Sequence, residues 1–508
     1  MKSARALAVL LGSVALAASI ASCTSCHTPQ STGADAASSA SASATSAAFV
    51  VPTVTWDPKT KADAIAAGKD VLVKNECRRC HDIDDLPAPV RPNYCTSCHD
   101  FLHGLAPGSR QFVEIGKKYG EGILERYQRN IVHLIKVPSL TNLGRRVRAD
   151  YVATFLAQPY DQRPTLEESM IRHALGEADI RAIARYFAAV ADAPDPYAPD
   201  YKAPDLGKPD AARIEKGKQL FLTRGCPACH TFGNLETGVP RTALEAGRSA
   251  NSLAPNLRYA KERTRPDVIV AWIQNAMAIA PGTLMPPSGL TSEEATLVRD
   301  FLFFGDPQLH PTPAVLVPDA PKLLDRPVTY EEMKSRTLGK VCVHCHMNDF
   351  EKDTGPGNKG GFGYKGISLA MRTYEALVNG AVGPDGQRYS VLVPKKGEKY
   401  APVVAAMLQR RVEEQRDHVP AFDDYERPDY PKVPGAILGM PMGLPSMTDE
   451  EISILATWIA QGCKGPATVW GKPGVNDGLL VQDGPLKKNA GCELRPPEHP
   501  RPKWAYDQ

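Results

Sequence analysis

The chain has 508 residues, 43% hydrophobic and 23% charged, a composition with room for about three globular domains of typical size. A formal net charge of +3 is too small for the basic surface that a nucleic-acid partner needs, and beyond the N-terminal segment no run of 18 apolar residues offers a membrane-spanning helix. The informative feature is the cysteines: ten of the 12 fall in five copies of one pentapeptide, Cys-x-x-Cys-His, at 23–27, 77–81, 95–99, 226–230 and 342–346.

Lys2 and Arg5 precede an apolar run, AVLLGSVALAASI, too short to span a membrane, so residues 1–22 read as an export signal. Ile20-Ala21-Ser22-Cys23 resembles the lipobox of bacterial lipoproteins, which implies that Cys23 becomes the acylated first residue of the mature chain. Residues 23–55 are then a lipid-anchored linker, because STGADAASSASASATSAA at 31–48 is low-complexity Ala/Ser and cannot build a core. This places the chain outside the cytoplasm, in the periplasm or cell envelope of a bacterium.

The block 56–192 opens with AIAAGKDVLVKNE, read as a helix, which runs into CRRCH at 77–81. A second motif, in YCTSCHDFLH, follows only 18 residues after the first. His133 lies in the apolar stretch RYQRNIVHLIKVP, and the closing half carries Met170 with His173 three residues further on. The Pro-rich stretch 193–210 separates this block from the next.

In the block 209–305, AARIEKGKQLFLTRG leads into CPACH, and a Met285-Pro286 loop precedes a helix opened by the capping sequence Thr291-Ser292-Glu293-Glu294. A second linker, 305–327, is again rich in proline. The block 327–470 repeats the order: EEMKSRTLGK, then CVHCH, and at its far end GMPMGLPSMTDEEISILATW, where Met440, Met442 and Met447 compete and Met440 is favoured because it precedes a proline as Met285 does. GPGNKGG in the insertion lacks the preceding strand and the GK[ST] ending of a phosphate loop and reads as a surface loop. His344 and Met347 lie within or directly after the motif and take no ligand role. Residues 471–508 form an irregular tail. Cys463 and Cys492 lie outside the motifs, either paired or free.

Cys-x-x-Cys-His is the attachment pattern for haem c: two sulfurs bond to its vinyl groups and the histidine reaches the iron. Chance would place roughly 0.01 such pentapeptides in this composition. One sulfur cannot carry both a diacylglycerol and a thioether, so the 23–27 motif has two competing readings, a lipid anchor at Cys23, which is preferred, or a fifth haem site.

The order helix, motif, meandering middle, methionine loop and closing helix resembles class I cytochrome c, and the whole chain resembles a multihaem c-type cytochrome. The resemblance implies a mainly α fold of three tandem class I cytochrome c-like domains, the first with an inserted second haem motif. It implies four haems c, five if the 23–27 motif carries one, attached through Cys77, Cys80, Cys95, Cys98, Cys226, Cys229, Cys342 and Cys345. His81, His99, His230 and His346 are then the proximal iron ligands, with Met285, Met440 and Met170 opposite three of them. At Met170 the proline of the family pattern is missing and His173 is the rival. No methionine loop is left for the 95–99 haem, for which His133 is preferred over His103 or an open site. The function implied is transfer of single electrons between redox partners, other redox proteins or a membrane electron-transfer complex, with no catalysis of its own. The alternative is a haem enzyme such as a dihaem peroxidase or a catalytic oxidoreductase subunit, which requires one iron with a vacant face.

Overall fold

The computed structural model describes residues 50–83, 85–88, 95–119, 124–125, 128, 131–135, 137–157, 159–160, 162–163, 170, 175–238, 250–309, 317–346, 369–382, 387–414, 433–436, 439–441, 446–466 and 491–494. Among these the fold is mainly α, with one two-stranded ribbon. No described helix is long and apolar enough to cross a membrane.

The first part holds α1 (Pro58–Lys74), α2 (Cys95–Gly104), α3 (Arg110–Tyr119), α4 (Ala149–Ala157) and α5 (Glu177–Val190). Asp57 starts α1 by accepting the Thr60 N–H at 2.8 Å, with Pro58 at the first helical position where its missing N–H costs nothing. α1 and α5 cross at Gly68, where a Cβ would stand 2.3 Å from the Tyr186 Cβ and 2.5 Å from the Ala182 carbonyl oxygen. Only glycine lets the two backbones approach so closely. Leu72, Ile183, Ala184 and Phe187 fill the core beneath. α2 and α3 belong to a separate small cluster, in which Leu102, Leu105, Leu124 and Ile131 are buried against Phe112 and Ile115. The Gln128 amide closes the end of α2 by donating to the carbonyls of Leu102 at 3.0 Å and Leu105 at 2.7 Å.

The middle part holds α6 (Ala211–Thr223), α7 (Ile269–Ile279) and α8 (Ser292–Phe304). Thr291 and Glu294 cap α8 reciprocally, Glu294 N to Thr291 Oγ1 at 3.2 Å and Thr291 N to Glu294 Oε2 at 2.9 Å. α6 and α8 cross at Gly217, where a Cβ would meet the Leu297 carbonyl oxygen at 2.0 Å and the Phe301 Cβ at 2.9 Å. This is the arrangement of Gly68 and Tyr186 over again. Asp300, buried on α8, is held by Arg213 of α6 at 2.8 Å.

These two parts meet through matching segments. RVRAD at 146–150 and RTRPD at 263–267 run antiparallel: Val147 pairs with Thr264, Arg148 N donates to Arg263 O at 2.9 Å, and Arg265 N donates to Arg146 O at 3.0 Å. Val147 thus meets its own counterpart, while Arg148 and Arg265, themselves counterparts, donate to Arg263 and Arg146, an exchange that places a local two-fold axis between Val147 and Thr264. Tyr160 and Tyr259 pack beside the joint with ring centroids 4.9 Å apart.

The last part holds α9 (Tyr330–Arg336), α10 (Tyr374–Val378), the ribbon β1 (Ala381–Val382) with β2 (Arg388–Tyr389), α11 (Pro402–Glu414) and α12 (Asp449–Ala460). Thr448 and Glu451 form another reciprocal cap at the start of α12. Trp458, Tyr374, Tyr330 and Met333 dominate the core. Cys463 and Cys492 are joined as a disulfide, Cα to Cα 5.0 Å. It holds residues 491–494 against α12, and the Tyr374 hydroxyl reaches the carbonyls of both Cys463 and Gly491.

Candidate functional site: four Cys-x-x-Cys-His segments around one cavity

Three of the motifs are built alike. Cys77–Arg79, Cys226–Ala228 and Cys342–His344 are single 3-10 turns, each closed by the histidine N–H on the first cysteine's carbonyl: His81 to Cys77 at 3.0 Å, His230 to Cys226 at 2.9 Å and His346 to Cys342 at 2.9 Å. Glu76 (φ 50°) and Gly225 (φ 81°) take the left-handed conformation that ends the preceding helix and aims the chain into the turn. The motif at 95–99 differs because it forms the first turn of α2, where Cys95, Cys98 and His99 share one helix face by their spacing.

The imidazoles are oriented by backbone carbonyls. His81 Nδ1 lies 2.8 Å from Pro138 O, His230 Nδ1 2.9 Å from Pro255 O, and His99 Nδ1 3.4 Å from Leu134 O. A carbonyl can only accept, so Nδ1 carries the proton and Nε2 keeps its lone pair. The Leu369 backbone lies beside His346 and opposes part of the effect of burial on that ring. Burial pushes His346 down to about 4, and it lowers His81 and His99 as well, so these rings are neutral near pH 7 and able to ligate a metal.

Burial raises three of the thiols, Cys77 and Cys345 to about 12 and Cys226 upward, and Cys80 is raised well upward by the Cys95 thiol beside it, together with burial. They are protonated sulfurs, unlike the activated thiolates of a nucleophilic or redox-exchange site. Among the described residues no three His, Cys, Asp or Glu side chains converge as they do in a zinc site.

All four motifs line a continuous cavity of about 1780 Å³. That is nearly twice the upper end of a site for one small ligand, about 1,000 Å³. Its wall is largely apolar and includes Met170, Met285 and Met440. Cys98 packs instead against the small cluster of α2 and α3. Chamber size, apolar walls, paired thiols, imidazoles with Nδ1 turned to a carbonyl and thioethers on the same wall together fit haem c.

His133 has its backbone in the turn Ile131–Leu134, whose last carbonyl serves His99, while its side chain lies outside the described residues, as do Cys23, His173 and Met442. His103 is described and is not part of the cavity wall, and Met447 is buried in the last core. Sequence reasoning missed the carbonyls of Pro138, Leu134 and Pro255, whose distances along the chain from their histidines share no common spacing. It also missed Arg146 and Arg263, equivalent residues at the two-fold joint that both line the cavity. Burial and the nearby Arg263 charge lower Arg146 to about 10. The recurrence of RVRAD and RTRPD was the available signal.

No family model, no curated protein and no solved structure matches this chain.

Proposed function

We propose that the chain is a multihaem c-type cytochrome of three tandem class I cytochrome c-like domains, the first with an added haem site. It carries single electrons between redox partners at the periplasmic or outer face of a bacterial membrane, to which Cys23 anchors it. The observation that carries this reading is a device repeated within the cavity: an imidazole at the end of a Cys-x-x-Cys-His segment, its Nδ1 tied to a backbone carbonyl so that Nε2 is the ring's basic nitrogen.

Haem c, when bound, supplies reversible one-electron chemistry at iron. The chain's own residues anchor and tune it. Cys77 with Cys80, Cys95 with Cys98, Cys226 with Cys229 and Cys342 with Cys345 would provide the sulfurs that attach it, and His81, His99, His230 and His346 would each provide one nitrogen to hold the iron. Met170, Met285 and Met440 would provide thioethers, soft ligands that favour the reduced state, and His133 would be the second ligand for the 95–99 site. The apolar wall excludes water and lowers the local dielectric, so each charge change is felt strongly by its neighbours.

Intact-mass measurement of the mature protein tests the proposal. Four covalent haem additions and an acylated N-terminus are expected. Five additions with a free N-terminus would reassign the 23–27 motif, and none would end the cytochrome reading.

A further inference from the structure

Resting on that reading, we infer that Glu413 is the positioning residue for the Met440 ligand, through a clamp that α11 places on the methionine loop. Glu413 and its neighbour Arg410 are 2% and 1% exposed, and such burial is costly for charge unless each group is paired and hydrogen-bonded. The Glu413 carboxylate meets Arg410 Nη1 at 3.5 Å, and its Oε1 accepts the Gly439 N–H at 2.8 Å. Gly439 directly precedes Met440.

The next N–H along, that of Met440, donates at 2.9 Å to the carbonyl of Ala406, two turns earlier on the same helix. At the near end of the loop Val433 N donates to the Gln409 side chain at 2.8 Å. Three anchor points on one helix thus fix the segment that carries the thioether. The backbone rides directly on α11: a Cβ at Gly439 would lie 2.2 Å from Glu413 Oε2 and 2.6 Å from the Arg410 Cα. Of the three anchors only Glu413 is charged, and a hydrogen bond to a carboxylate is roughly twice as strong as a neutral one. Ala406 and Met407 of the same helix line the cavity with Met440, so clamp and ligand share one wall.

The test compares four variants of the full-length, haem-loaded protein. Glu413→Leu removes the acceptor, Gly439→Ala forces the loop off the helix, Glu413→Gln keeps an oxygen but removes the charge, and Val404→Ala weakens the buried face of α11 without touching the loop. All are expected to keep four haems by mass. Glu413→Leu and Gly439→Ala lose one haem's share of the thioether-to-iron charge-transfer band and take up one equivalent of carbon monoxide when reduced. Glu413→Gln stays fully six-coordinate but raises the potential of one haem, since a buried negative charge near the iron is gone. Val404→Ala loses stability with an unchanged spectrum. Full band intensity and no carbon monoxide uptake in both Glu413→Leu and Gly439→Ala would overturn the inference. Should those two misfold, an unshifted potential in Glu413→Gln would overturn it. Absence of haem in the unmodified protein would instead end the cytochrome reading itself.

Discussion

Around Cys226 the flanking helices α6 and α8 cross with Gly217 between them, and the contact is made backbone to backbone. Around Cys342 the corresponding first helix, α9, has only seven residues, and Tyr330, Met333 and Trp458 fill the space where a close crossing would lie. α11 and the Cys463–Cys492 disulfide are added. The middle core therefore depends on the absence of one side chain, and the last core on bulk and a covalent staple. The first approach allows a small domain of few elements. The second tolerates insertions, because its flanking helices α9 and α12 meet through large side chains and do not need a glycine between them.

The difference is broken most severely at Gly217. Gly217→Val should cost more than about 4 kcal/mol, since the obstructing atom is a backbone oxygen that cannot turn aside, and limited proteolysis should then cut the 209–305 region first. Unchanged protease resistance would show that the crossing is looser than drawn. Next comes the staple: replacing both Cys463 and Cys492 by serine should cost roughly 3–4 kcal/mol from the loop they close, lowering the unfolding midpoint of the last core while leaving the other two in place. A protein whose cores all shift together would contradict the separation of their packing.

Met285→His and Met440→His address the sites within the two cores. On the proposed cytochrome reading, each should leave its haem attached and lower that haem's potential, because a second imidazole favours ferric iron where a thioether favours ferrous. Redox titration reads both, and an unmoved potential in either variant excludes that methionine as a ligand. The smallest effect is on the rim of the last core, where Arg326 and Arg336 hold the Glu332 carboxylate below its usual range. Glu332→Gln should cost less than about 1 kcal/mol. A lowered carboxylate stabilises the fold above about pH 4.5 and loses that contribution as the pH falls through its folded value. The variant's stability should accordingly be flatter than that of the parent below pH 4.5, as followed by acid unfolding.

The pentapeptides were legible because two cysteines and a histidine recur at one fixed spacing, and α8 and α12 were legible because Thr291 with Glu294 and Thr448 with Glu451 are local signals. α11 was not, because its burial of Arg410 and Glu413 depends on partners far along the chain, Gly439 among them. The same holds for the histidine orientation: Pro138 is 57 residues from His81, whereas Pro255 is 25 from His230. Cys95, Cys98 and His99 looked like the other motifs in sequence, yet here they lie in a regular helix, where the other three motifs form single 3-10 turns.

The pairing of Val147 with Thr264 has a further consequence. Like segments meeting across a two-fold axis are the signature of an isologous contact between identical subunits. Here both partners lie on one polypeptide, joined through the Pro-rich stretch 193–210, so that one half is always present at high effective concentration for the other. A joint of this kind needs far less buried area than a free dimer, and unlike a free dimer it cannot be diluted apart.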